Sequence, residues 1–169
     1  MPNTALHRTL TVALLACVAL LPAACKQADT APEATDAVTG SPEAPEGVSV
    51  TNARLVLPPV AGNPGAVYFD ITNGSDSQLA IASAAVTGAG MAMLHASSTQ
   101  GNTAEMVHLE EVPFAARQTV TFAPGGLHVM VHDLGPDIVA GSTAEVTLTF
   151  INGDKVSFPA AVETIGGGS

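Results

Sequence analysis

Cysteine is almost missing from this chain. Its 169 residues hold two, Cys17 and Cys25, both near the N-terminus. No disulfide framework can therefore brace the rest of the chain. A blue-copper electron-transfer site needs a cysteine thiolate, and none is present downstream to supply it. Tryptophan is absent, and one tyrosine and five phenylalanines are the only other aromatics. So few rings count against a carbohydrate-stacking surface. Positive charge is also scarce: five Lys and Arg stand against fifteen Asp and Glu, for a net charge of −10. Such a chain is repelled by nucleic acid and by anionic membrane surfaces. No acidic cluster has the spacing of a calcium loop, and zinc would ordinarily draw on more His, Cys or carboxylate ligands.

The N-terminus reads as a targeting segment. Arg8 carries the only early positive charge, Thr9 to Leu21 is nearly all apolar, and Ala23-Ala24-Cys25 follows. A charged start, a short apolar run and small residues before a boundary describe a secretory signal, here 1–24. The run is too short for a comfortable membrane span. Leu21-Pro22-Ala23-Ala24-Cys25 resembles a bacterial lipobox, in which the cysteine is acylated and becomes the mature N-terminus. Pro22 departs from the usual leucine at that position. Cys17 also follows a small residue, but cleavage there would leave a very short apolar region. The expected lipid-bearing residue is Cys25, and the expected location is the periplasm or cell envelope.

Residues 25–47 form a second compositional zone. Lys26 to Gly47 is rich in Pro, Ala and acids and lacks aromatic or β-branched runs. It cannot bury enough surface to fold and is read as a disordered tether. Its root-mean-square reach is about 25 Å for a flexible chain of that length. Between a lipid anchor and a folded domain, it would give the domain room to meet membrane-bound partners.

From Val48 the texture changes to short alternating segments punctuated by Gly, Pro, Asn and Asp. Val48–Leu57, Gly65–Thr72, Leu79–Val86, Met91–Ala96, Met106–Val112, Gln118–Phe122, Leu127–His132, Ala144–Ile151 and Lys155–Ala161 are predicted strands. Asn152-Gly153 between the last two is a strong hairpin signal, setting Val146, Leu148 and Phe150 opposite Val156 and Phe158. No segment carries a convincing helical stripe. The pattern implies an all-β antiparallel sandwich over 48–163, with 164–169 as a flexible tail.

Inside this domain His95, Met106, His128 and Met130 stand in the pattern H-x10-M-x21-H-x-M. Strand periodicity assigns them a face. Leu127, Val129 and Val131 share one side of their strand, and His128, Met130 and His132 share the other. Val107 and Leu109 likewise oppose Met106, His108 and Glu110, while Ala92 and Leu94 oppose Met91, Met93 and His95. The aliphatic sides belong to the core, so the His/Met sides face away from it. Residues two apart on a strand are separated by about 6.5–7 Å, a span across which His128 and Met130 can reach one ion. Imidazole and thioether are neutral donors that together suit copper(I). Thioethers hold less tightly than thiolates, as a carrier that must release its cargo requires. Met91 and Met93 read chiefly as packing residues, with a Met-rich copper entry path as the alternative. His108 and His132 share the proposed ligand faces and are candidate accessory ligands, with copper(II) a further option there.

The four-residue pattern resembles that of the periplasmic copper chaperone family PCu(A)C. So do Ala66-Val67-Tyr68-Phe69 with Ile71-Thr72-Asn73, then Pro124-Gly125-Gly126-Leu127-His128-Val129-Met130, then Leu148-Thr149-Phe150. The likeness spans roughly Val48 to Val162. Two positions depart from the family's habit. Ala96 stands where Met often follows the first His, and His132 stands where Met often lies two places after the last ligand. The resemblance implies a cupredoxin-like Greek-key sandwich. It also implies copper(I) delivery to the CuA centre of a cytochrome c oxidase subunit, often alongside a thiol-bearing Sco-type protein. Transfer would proceed by ligand exchange, with no covalent bond of a substrate broken, so no enzyme is expected. Two other readings stand beside it: a copper storage or resistance protein using the same site, and a surface binding module whose His/Met face is incidental.

Overall fold

The computed structural model describes residues 38–39, 44–100 and 103–166. The expected signal segment, Cys25 and most of the tether lie outside those residues. The described chain forms β1 (Val38–Thr39), β2 (Val48–Leu57), β3 (Gly65–Asn73), β4 (Leu79–Val86), β5 (Ala89–Gln100) and β6 (Thr103–His108). It continues with β7 (Val112–Phe114), β8 (Thr119–Phe122), β9 (Leu127–Leu134), β10 (Thr143–Phe150) and β11 (Lys155–Thr164). No helix occurs among the described residues.

The strands hydrogen-bond in the order β6-β5-β9-β8-β3-β2-β11-β10-β4-β7, with β1 on β2 and β9 also touching β3. Neighbours in sequence form hairpins at β2–β3, β5–β6 and β10–β11. By contrast β4 pairs with β10 and β7 rather than with β3 or β5, so the chain crosses over before and after it. Most pairings are antiparallel, as expected. Two are not: β11 runs parallel to β2, and β8 to β9. β11 reaches β2 after a long excursion, as a parallel pairing requires. By contrast, β8 and β9 touch at Phe122–Leu127 alone, across the Ala123–Gly126 turn between two strands that both lie along β3.

Alternation builds the core. β3 buries Val67, Phe69 and Ile71, β10 buries Val146, Leu148 and Phe150, and β11 buries Val156, Phe158 and Val162. All five phenylalanines are buried. Phe69 stacks on Phe122 at 4.3 Å between ring centroids and packs against Phe158 at 5.2 Å. Each such ring stabilises the fold by roughly 1.5–3 kcal/mol of burial. Every Phe is spent on the core, which leaves Tyr68 as the only aromatic carbocycle outside it and strengthens the case against a sugar-stacking surface.

One irregularity decides what faces outward. β2 buries Val48 and Val50, then Leu55, so its parity changes midway. Its register with β3 slips between Thr51 and Arg54, and Asn52 has φ 56°. An inserted residue turns every later side chain to the other face. Arg54 and Val56 therefore point out of the core, beside Tyr68 and Ala66, their register partners on β3. Asn52 Nδ2 donates to Asp70 Oδ2 at 2.7 Å across the bulge.

The hairpin at Asn152-Gly153 forms as expected. Gly153 takes φ 90°, Phe150 N donates to Asp154 O at 2.8 Å, and Val146 and Leu148 face Phe158 and Val156. Several strands end elsewhere than expected, β5 most of all at Ala89–Gln100 against Met91–Ala96, and three differences change the organisation. The single strand expected over Met106–Val112 is two, because β6 pairs with β5 while β7 pairs with β4 across the fold. The chain must leave one partner to reach the other, and Leu109 N to Leu94 O, at 2.8 Å, is its last bond on the first side. Within the expected tether, Val38–Thr39 pairs with Val50 and Ser49. The open edge of β2 there accepts a strand before β11 takes over at Arg54. Finally, β11 runs one residue into the expected tail, because Thr164 pairs with Leu57.

Candidate metal centre

β5 lies between β6 and β9 and is antiparallel to both. Residues directly opposite in such a ladder point to the same face, with Cα atoms about 4.5–5.5 Å apart. The register sets His95 opposite His108 on β6 and His128 on β9. On the β5–β9 ladder, Met93 faces Met130 on the next rung and Met91 faces His132 on the one after. Met106 faces Ser97, diagonal to His95. Three adjacent strands thus bring four histidines and four methionines to one outward side. The His95 ring centroid is 5.6 Å from that of His108 and 5.7 Å from that of His128.

The face is outward but not uniformly exposed. His128 is only 5% exposed, Met106 is 52% exposed, and His95, Met93 and Met130 lie between. Tyr68 helps cover His128, with ring centroids 6.4 Å apart. Arg54 in turn lies over the Tyr68 ring at 5.2 Å. One row therefore reads His108, His95, His128, Tyr68, Arg54 across five strands.

The turn before β9 sets the chemistry of His128. Ala123-Pro124-Gly125-Gly126 closes with Gly126 N donating to Ala123 O at 3.0 Å, and Gly125 has φ 79°. Proline second and a positive-φ glycine third are what a type II turn requires. The turn aims the Gly126 carbonyl at Ser97 N, 2.9 Å away, and at His128 Nδ1, 3.1 Å away. A carbonyl can only accept, so Nδ1 carries the proton and Nε2 keeps its lone pair for an incoming ion.

His95 is held neutral by its surroundings. Its pKa is lowered from the ordinary 6.5, first by burial and then by the neighbouring imidazoles His128, His108 and His132. Its Nδ1 is buried with no hydrogen-bond partner. A neutral ring with an unsatisfied buried nitrogen is an imidazole ready to donate to a metal. Among the described residues, no three His, Cys, Asp or Glu side chains form a possible metal cage. An ion held on this face would need thioether donors.

The structure brings His95, His128 and Met130 together on neighbouring rungs, with Met106 on the edge strand diagonal to them. It places His108 directly opposite His95, closer in register than Met106. His132 lies two rungs from His128, beside Met91. Cys25 lies outside the described residues. Two residues of the face were not considered from sequence, Tyr68 and Arg54, while Met91 and Met93 were read chiefly as packing residues and stand on the donor side. Alternation in β3 could have exposed Tyr68, since buried Val67 and Phe69 flank it. A groove of about 710 Å3 adjoins the row, lined by Arg54, Val56, Pro58, Ala66, Tyr68 and Pro124 among others. Tyr68 and Ala66 belong to both features, since Ala66 is the register partner of Met130.

A family model described as "Putative lipoprotein LpqE-like" matches residues 48–162. The chain belongs to this LpqE-like family. A comparison with curated proteins returns no match. Solved structures similar to this LpqE-like domain include the copper-bound PCuAC domain from PmoF2, at 20% identity and TM-score 0.61, covering 77% of this chain and 99% of that one. The solution structure of copper(I)-DR1885 from Deinococcus radiodurans matches at 29% identity and TM-score 0.54, over 66% of this chain and 74% of that one. Apo-DR1885 matches at 28% and 0.55, over 86% and 95%. The LpqE-like domain therefore has the PCuAC cupredoxin-like fold. The resemblance read from the four-residue pattern is borne out.

Proposed function

We propose that this chain is a copper(I) metallochaperone of the cell envelope, and that His95, Met106, His128 and Met130 hold its cargo. The observation that carries this reading is the imidazole row. His95 and His128 face each other with 5.7 Å between ring centroids, one kept neutral and the other presenting a free Nε2. Met130 stands one rung away and Met106 on the edge strand. The similarity to a copper(I)-loaded DR1885 domain supports the same cargo here. Two nitrogens and two thioether sulfurs form a neutral, soft set that fits copper(I) better than zinc or calcium.

Release proceeds by ligand exchange, without covalent chemistry, so the chain is not an enzyme. Met106 is the exposed donor on the outermost strand and leaves first to an incoming thiolate or imidazole. His128, buried under Tyr68, leaves last. The acceptor in this reading is the CuA-bearing subunit of cytochrome c oxidase, served alongside a Sco-type thiol protein. His108, opposite His95, is an accessory donor that would join the set for copper(II), which favours more nitrogen. Cys25 carries the lipid, 25–47 is the tether apart from the short β1, and 48–163 is the cargo domain. The description of the family as lipoproteins supports the anchor.

The test is a copper(I) titration against a competing chelator. The Met106→Leu/Met130→Leu double variant keeps side-chain volume, so its fold should change by under about 1.5 kcal/mol per site. Losing an outer-shell partner of a metal site costs 10–100-fold in affinity, and losing two direct donors should cost at least roughly 100-fold. X-ray absorption of the wild type should show both sulfur and nitrogen scattering. Wild-type affinity in the double variant would sink the assignment.

A further inference from the structure

The β5–β9 ladder carries donors on three successive rungs, and the four-residue set uses only part of them. Beyond His95/His128 and Met93/Met130 comes Met91 opposite His132. Two features single out that outer end. His132 Nε2 is buried and has no hydrogen-bond partner. Met91, opposite it, is 52% exposed. A buried ring nitrogen left unpaired is destabilising, a penalty that an ion on that nitrogen would relieve. Met93, one rung inward on the same face, is opposite Met130 and so remains free of the first set.

We propose that Met91, Met93 and His132 form a second copper(I) station, beside the first and in line with it. Its position rests on the register and on the unpartnered His132 Nε2, and its cargo on the reading of copper(I) for the neighbouring set. Opposite partners stand about 4.5–5.5 Å apart and diagonal ones about 7–8 Å at the backbone, within reach of long side chains. Two thioethers and one imidazole are again neutral and soft, which selects copper(I) over harder ions. Met91 offers the ion a solvent-side entry. Met93 and Met130, one from each set, face each other on the middle rung. An ion can therefore pass from the outer station to the inner one by exchanging one thioether for the other, without leaving the face.

The test is titration of the full chain with copper(I) against bathocuproine disulfonate. Methionine methyl groups are followed by NMR in parallel. The wild type should bind two equivalents, the second at least about tenfold weaker because it has three donors rather than four. Met91 and Met93 methyl resonances should move in the second step and those of Met106 and Met130 in the first. Met91→Leu, an exposed change that leaves folding intact, should abolish the second equivalent and leave the first within threefold. His132→Asn should do the same. The Met106→Leu/Met130→Leu variant should lose the first step and keep the second. A single equivalent in the wild type overturns the second station and leaves the proposed function standing. A second equivalent that survives both Met91→Leu and His132→Asn also overturns it. Absence of any copper binding overturns both readings.

Discussion

Asn73 offers the sharpest separation of fold from site. It ends β3 fully buried, at 0% exposure, with all its side-chain hydrogen-bonding capacity engaged. Nδ2 donates to Ser77 O at 2.7 Å and to Ala115 O at 3.0 Å. Oδ1 accepts from Ser75 N at 3.0 Å and from Ser75 Oγ at 2.7 Å. One side chain thereby ties the turn after β3 to the turn before β8. Asn73→Ala removes four bonds worth about 1 kcal/mol each, while Ser77 O keeps the Ser75 hydroxyl and Ala115 O keeps Gln118 N as donors. Ser75 is partly exposed and regains water for its donors, which leaves an expected loss of about 3 kcal/mol. With a urea slope of about 1.5 kcal/mol per molar, the midpoint should fall by roughly 2 M. Asn73 lies five residues along β3 from Tyr68, roughly 17 Å at strand rise. Copper(I) affinity of the folded fraction should therefore match that of the wild type. A loss under about 1 kcal/mol would refute the account of this buried amide. A loss of affinity in step with stability would refute the independence of the metal face.

Two further outcomes concern protons and the anchor. His95 has a folded pKa below 6.5, so the folded domain binds fewer protons there than the unfolded chain. Apo-protein stability should fall as pH drops below 6.5, more gently than the single-proton limit of about 1.4 kcal/mol per pH unit, and His95→Gln should flatten that slope. Asp70, lowered from 3.8 mainly by the Asn52 hydrogen bond and then by Thr121, should add a separate loss only below pH 3.8, seen by urea melts across the range. Cys25→Ser should move the chain from the membrane to the soluble fraction on cell fractionation. An unchanged distribution would remove Cys25 as the anchor.

The faces of the strands were legible because burial has period two. The aliphatic sides of β5 and β9 are the core sides, and Leu94, Val129 and Val131 are buried as the alternation implies. The β10–β11 hairpin was legible down to its cross-strand pairs, since Asn-Gly fixes both turn and register. What alternation cannot supply is register between strands joined by longer loops. Nothing local says that His95 meets His108 rather than Met106, or that Met91 meets His132. Those pairings are fixed by hydrogen-bond ladders between segments far apart in sequence. The division of β6 from β7 was hidden for a related reason. Their apolar positions read continuously, and only the switch of partner from β5 to β4 breaks them. Arg54 was hidden by the Asn52 bulge, which turns it outward against the parity of the first half of its own strand.

The chain is strongly acidic, yet within β5, β6 and β9 its acids are kept off the donor side, and Glu110, of the same parity as His108, falls beyond the end of β6. Glu105 and Asp133 are the carboxylates within these three strands, and both alternate to the opposite side. Gly90, not a donor, lies against Asp133: a Cβ added there would come within 2.8 Å of its Cβ. This placement bears on selectivity. A carboxylate among the imidazoles would offer the hard oxygen that calcium, magnesium and zinc use. Divalent ions attracted by the net negative charge would then compete for the face. With only neutral nitrogen and sulfur available, their attraction stays general and unfocused. A monovalent soft ion loses little by lacking a counter-charge and gains thioether bonds that hard ions cannot use. Converting Met106 to Glu would test this logic more severely than converting it to Leu, because it restores the hard donor at the exposed edge of the same site.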